Sequence, residues 1–390
     1  MTAAFSVRSV SSAKAIDPKV WNGLANPDGA RFDPFLTHDF FVALEDSGSA
    51  VPEAGWGAMH LVAEDQAGAV VGLMPLYLKG HSQGEYVFDH GWAQGYDMAG
   101  GRYYPKLLCG VPFTPVSGRR LWAEGPRSLE ISHCLLSGAI DLVKQRGLSS
   151  LHINFIDPAL AAPLRGAGLE ELGFLLRTGT QFHWQDQGYE TFDGFLASLQ
   201  SRKRKALKKE RRQALANGLQ IEWVEGDAIT PAHWHDFYQF YLDTSDRKWG
   251  TPYLTKDFFS QIGTQLADQL VFVFARSGEQ RVAGALNFKG SDTLYGRYWG
   301  ALEHHPFLHF EVCYYQAIDY ALANGLSRVE AGAQGEHKLL RGYAPCQTLS
   351  AHYIADESFR LAVKDFLEEE TRHMALHGEA LRGHLPFKKQ

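Results

Sequence analysis

The chain has 390 residues, more than one hydrophobic core serves well and comfortable for two domains of about 190 residues each. An apolar share of 45% and a charged share of 21% exclude a disordered or low-complexity chain. With 38 basic against 44 acidic side chains, the formal charge is −6, which excludes a global field that recruits nucleic acid or anionic membrane. Any anion binding has to come from a local patch.

In chain order, the start MTAAFSVRSVSSAKAID is broken by Arg8 and Lys14 and reads as no secretory leader. No run approaches the ~18 apolar residues of a membrane helix. Cys109, Cys134, Cys313 and Cys346 form no CxxC pair; they read as reduced thiols, so the chain is expected to be soluble and cytoplasmic.

A repeat of long period follows. Residues 59–80 read as a hairpin whose second strand passes Gly72 and closes on Lys79-Gly80; residues 270–290 repeat it, with Gly284 and Lys289-Gly290. "EYVFDHGWA" (85–93) and "TLYGRYWGA" (293–301) read as matching aromatic strands. The stretches 129–155 and 310–333 each read as an amphipathic helix, a Gly stop (Gly147, Gly325) and a short strand. "QFHW" (181–184) then matches "SAHYI" (350–354) as a last strand. The expected domains are 1–188 and 189–390, of the α/β (α+β) class, each a mixed, mostly antiparallel sheet flanked by helices.

This order of elements resembles the GNAT acyltransferase fold, present twice. The chain looks like a member of the FemAB-like family of peptidoglycan biosynthesis or recognition proteins. The resemblance is carried by 89–121, "QFHW" (181–184), "SRKRKALKKERR" (201–212), "LHFEVCYYQAIDYAL" (308–322) and "GAQGEHKLLRGYAP" (332–345). It implies acyl transfer to an amine, with a peptidoglycan precursor as an acceptor and aminoacyl-tRNA or acyl-CoA as the donor, and no tightly bound cofactor. Two other readings stay open: a non-catalytic protein that recognises a cell-wall precursor or another phosphate-bearing ligand, and an acyl-CoA-dependent N-acetyltransferase. Against acyl-CoA, "VSGRRLW" (116–122) has one glycine and "EHHPFLHFE" (303–311) none where a pyrophosphate loop needs open backbone N–H groups.

The helix 201–218 carries eight cations within 202–212 against one acid, Glu210. Interleaved acids are the usual pattern of a solvated helix, so Arg204, Lys205 and Lys208 are candidates for holding phosphates, those of tRNA included. In the stretch 332–345, Glu336 or His337 is placed to take a proton, and Lys338 and Arg341 to hold an anion. His90, Trp92, Glu311 and Tyr343 complete the candidate substrate-binding set. No metal is expected: "HFE" (309–311) and "PC" (345–346) suggest a zinc deaminase pattern, but position 349 is Leu where its second cysteine would stand.

Overall fold

The computed structural model describes residues 5–248, 251–332 and 335–388. Its strands are β1 (Phe5–Val10), β2 (Trp56–Ala58), β3 (His60–Asp65), β4 (Val70–Met74), β5 (Leu76–Lys79), β6 (Lys106–Cys109), β7 (Trp122–Ala123), β8 (Ser150–Ile156), β9 (Leu175–Gln185), β10 (Gln220–Glu225), β11 (Leu270–Ser277), β12 (Gln280–Lys289), β13 (Thr293–Ala301), β14 (Arg328–Glu330) and β15 (Ala344–Ile354). They fall into two compact, GNAT-like α/β units. The first is the chain up to Thr180 with Gln347–Leu376; the second is Gln181–Cys346 with the chain from His377 on.

In the first unit β1-β3-β4-β7 form one sheet, and β2-β5-β6-β8 with β15 a second. Among the described strands, β6 and β8 pair in parallel. The helix Ser128–Arg146 buries Ile131, Leu135, Leu136, Ala139, Ile140 and Val143, the stripe its periodicity promised, and stops at left-handed Gly147. That stripe packs on Leu61, Ala63, Met74, Leu107, Leu151 and Ile153. It also explains Gly72: a Cβ there would stand 2.4 Å from Ile131 Cγ2.

Two expectations change here. The second strand of the first hairpin is two strands, β4 and β5, in different sheets. Pro75 separates them, and a proline lacks the N–H a continuous central strand requires. Residues 85–93 are not a strand: His90–Met98 is a helix burying Trp92 and Ala93. The spacing of Trp92, Ala93 and Tyr96 is helical, and all three join Tyr103, Val363 and Leu367 in one cluster.

The second unit has the strand order β10-β11-β12-β13-β14-β9. All pair antiparallel except β13 with β14. A helix over 308–323, with a π turn at Glu311–Tyr315, packs Tyr315, Ala317, Ile318 and Ala321 on Phe182, Trp184, Leu294 and Val329.

The division after residue 188 therefore becomes one at Thr180 with an exchange of strands. The end of β9 pairs with β14, and the end of β15 pairs with β8. The matched segments 181–184 and 350–354 take equivalent places, each in the unit built mainly from the other repeat. Register then sets His183 opposite Glu330 and His352 opposite His152.

Candidate functional site

Strands β13 and β14 pair for three residues, the last being Tyr295 with Glu330. There β14 ends while β13 runs on to Ala301, so Glu330 stands where the strands part. Side chains alternate across a sheet. Val329, Phe182 and Trp184 enter the core under the helix, and Glu330, Gln181 and His183 face the other side. All three are buried. Glu330 Oε2 lies 3.5 Å from Arg297 Nη2, and its Oε1 lies 3.8 Å from Arg328 Nη1 and 3.9 Å from His183 Nδ1. The opposite nitrogen of that imidazole, Nε2, is 3.0 Å from Gln181 Oε1. Burial chiefly, with the nearby cations, lowers the His183 pKa despite Glu330, so the ring is neutral near pH 7.

The stretch read as carrying the proton acceptor and the anion-holding cations forms a 3-10 helix, Glu336–Arg341, between Gly335 (φ 115) and Gly342 (φ 87). Both glycines adopt backbone angles that side chains disfavour. The short helix divides the candidate residues. Lys338 is 2% exposed and donates Nζ to the Gly332 carbonyl at 3.0 Å. Burial, reinforced by Arg297, brings its pKa down to about 7. Arg341 is buried as well, but its charge is engaged: Nη2 donates to Glu210 Oε2 at 2.9 Å, and the guanidinium lies 3.4 Å over the Phe310 ring. His337 Nε2 is 2.9 Å from the Tyr314 hydroxyl, and burial, then Lys338 and Arg341, lowers its pKa. Glu336 points outward, 66% exposed and 3.4 Å from His377.

The remaining candidates scatter. Glu311 is buried in the π turn, accepting from Arg211 at 2.8 Å and from Gln316 at 2.7 Å. Tyr343 is fully buried, its hydroxyl donating to the Tyr314 carbonyl at 3.1 Å. The basic helix Ser201–Ala214 buries only Leu207 and Ala214; Lys205 and Lys208 are exposed and Arg204 half-buried. Lys208 meets Asp193 at 3.1 Å on the surface.

His90 and Trp92 belong to the first unit. His90 is exposed, whereas Trp92 is buried edge-on against His352 with Arg177 over its face. Beside them Lys106 donates to Ser82, Glu85 and Asp89, and the Tyr103 hydroxyl donates to Asp89 at 2.7 Å. His152 Nδ1 and His352 Nδ1 share a hydrogen bond of 2.6 Å, and each outer nitrogen meets a serine two residues earlier, Ser150 or Ser350, at 2.8 Å. Burial, helped by Lys106, holds His152 neutral with a pKa of about 3.

Sequence reasoning underweighted Glu330, Arg297 and His183. The available signal was the repeat: Glu330 and His152 occupy the same place after their helix-stop glycines, and His183 and His352 the same place in the last strands. Those two equivalences set the four side chains on matching strands, but which strand pairs with which comes only from the fold.

A protein built of two such units, with its titratable groups where two parallel strands part, belongs to the tandem GNAT class. The chain belongs to the FemAB-like family, described as peptidoglycan biosynthesis/recognition, whose model matches residues 12–389. No curated protein matches it in sequence. Among solved structures it is similar to FemX, at 13% identity over 90% of this chain and 98% of that one, with a TM-score of 0.54. It is also similar to the C-terminal domain of a putative lysylphosphatidylglycerol synthetase from Agrobacterium fabrum, at 10% identity over 91% and 96% of the two chains, TM-score 0.52. L-PGS from Bacillus licheniformis matches at 9% identity over 87% and 98%, TM-score 0.50. Among the described residues, no helix is long and apolar enough to cross a membrane.

Proposed function

We propose that the chain is an acyltransferase that forms an amide on an amine of a peptidoglycan precursor, with its chemistry in the second unit. The observation that carries this reading is Lys338, a buried amine whose Nζ donates to the Gly332 carbonyl, two residues beyond the end of β14, and whose pKa is brought down to about 7. Amide formation requires that the attacking ammonium lose a proton, and a base with a pKa near the working pH does this best. Lys338 supplies such a base, and once protonated it places a positive charge where the tetrahedral oxyanion develops. Arg341 is committed to Glu210 and Phe310 and serves to fix the short helix that carries Lys338. The exposed cations of the basic helix, Lys205 and Lys208 among them, are proposed to take the donor's phosphates. The absence of glycine from 303–311 favours aminoacyl-tRNA over acyl-CoA as that donor.

The test is to incubate the protein with a lipid-free muramyl-peptide precursor and either aminoacyl-tRNA or acetyl-CoA, and read the precursor by mass spectrometry. An aminoacyl mass increment that disappears with Lys338→Met is expected. No increment with either donor, in the presence of tight precursor binding, would turn the reading to a recognition protein.

A further inference from the structure

The two units contain the same cross-strand pair, and they treat it differently. In the first unit the pair is closed: His152 and His352 are hydrogen-bonded to each other at 2.6 Å, and their outer nitrogens are met by Ser150 and Ser350. In the second unit the register-equivalent pair is open. His183 Nδ1 and Glu330 Oε1 stand 3.9 Å apart, too far for a hydrogen bond. His183 Nδ1 has no hydrogen-bond partner among the described residues, although the side chain is 5% exposed.

The protons make the gap specific. Gln181 Oε1 can only accept, so His183 Nε2 carries the ring proton and donates to it. His183 Nδ1 is therefore a lone pair, and it faces a carboxylate oxygen. Two acceptors confronting one another require a donor between them, and one with at least two N–H groups serves both at ordinary hydrogen-bond lengths. Around this gap lie Arg297 and Arg328, at 3.5 Å and 3.8 Å from the same carboxylate. A bare alkylammonium would meet their repulsion. A primary ammonium with a carbonyl on the adjacent carbon would present its oxygen to these cations and its N–H groups to the two acceptors.

We propose that Glu330 and His183 form the recognition site for a primary ammonium adjacent to a carbonyl, the α-amino end of an aminoacyl group. Glu330 and His183 are specificity-determining residues here, and they place the aminoacyl carbon within the unit that holds Lys338. This rests on the acyl-transfer reading for its purpose, but binding at the gap is read without turnover, so the two fail separately.

The experiment is titration of the full chain, by calorimetry or protein-observed NMR, with three small probes at one pH near 7. Alaninamide has both groups, propylamine lacks the carbonyl and propionamide lacks the ammonium. Alaninamide is expected to bind most tightly and propionamide not at all. Glu330→Gln should weaken alaninamide by about tenfold or more, since a hydrogen bond to a charged group is lost. His183→Phe should weaken it by a smaller factor, and His152→Phe, in the closed pair, should leave it unchanged. Should Glu330→Gln not fold, the probe ranking on the parent protein still decides the matter. Equal binding of propionamide and alaninamide overturns the site, as does failure of alaninamide to bind. A 3′-alanylamido-adenosine that binds more tightly than the dipeptide Ala-Ala assigns the aminoacyl group to the donor; the reverse order assigns it to the acceptor.

Discussion

At the scale of single residues, Lys338, the base proposed above, should leave a mark on stability as well as on rate. Its pKa falls from 10.5 to about 7 on folding, through burial and then Arg297. Between those values the unfolded chain binds a proton that the native chain does not, so stability rises with pH through that window. Below about pH 7 both states are protonated and the full cost of the buried charge is present. Lys338→Met removes that cost. Its melting temperature relative to the parent should be highest at pH 7 and below and should fall back by several degrees towards pH 10.5. Melting curves at the two pH values check this, and a gap independent of pH would refute the neutral buried amine. The same variant should lose turnover while keeping precursor affinity within a few-fold, the pattern of a group needed mainly in the transition state. Half of this site was legible in the sequence. Lys338, His337 and Arg341 stood out as charges packed between glycines, where the backbone turns most tightly. Glu330 and His183 did not, because only pairing between β14 and the end of β9 brings them together, and a single sequence does not state which strands pair.

At the scale of elements, the short helix Glu336–Arg341 is tied to the basic helix through an ion pair that is buried at Arg341 and half-buried at Glu210. Arg341 is 5% exposed and its partner Glu210 is also held by the Tyr315 hydroxyl. Removing one partner leaves the other charge without compensation, at about 3–5 kcal/mol when both are fully buried and no more than the lower figure when one keeps some water, as Glu210 does. Arg341→Ala should therefore destabilise the chain by about 3 kcal/mol, and adding Glu210→Gln should restore part of the loss. Denaturant unfolding of the two single variants and the double variant measures the coupling, and strict additivity would dissolve the pair as an energetic unit. Glu336→Gln, at an exposed position, should change stability by under about 0.5 kcal/mol. Element types were read well where periodicity ran long, as in the helix Ser128–Arg146 with its stop at Gly147. The stretch 85–93 shares its aromatic residues with the strand 293–301, yet adjacent Trp92 and Ala93 are both buried, which a helix packed on one face allows.

At the scale of the whole molecule, two features act beyond their own elements. The net charge is −6, so binding of a polyphosphate has to pass through local cations. Replacing Arg204 and Lys205 together by Gln should weaken tRNA binding and flatten its dependence on salt by about one to two counterions on a log–log plot. An unchanged slope in filter binding across a salt series would remove the basic helix from the donor site. The second feature is the exchange of strands. A chain cut at the boundary read from sequence, residues 1–188, keeps every element of the first repeat yet lacks what completes its sheet. Leu349, Ala351 and Tyr353 of β15 lie in the first unit's core, and Val363 and Leu367 cover Trp92 and Tyr103. Without them β8 loses its outer neighbour, and His152 Nδ1 loses its hydrogen-bond partner His352. Burying a polar group without its partner costs about 1–3 kcal/mol, before the apolar losses are added. Since a domain's net stability is only about 5–15 kcal/mol, the fragment 1–188 should show no cooperative melting by circular dichroism. Co-expressed with 189–390 it should recover a cooperative transition, because the second fragment supplies β15 and the helix Glu357–Gly383. A fragment 1–188 that melts cooperatively near the temperature of the full chain would show that the exchanged strand is dispensable, and that the repeat boundary is also the folding boundary.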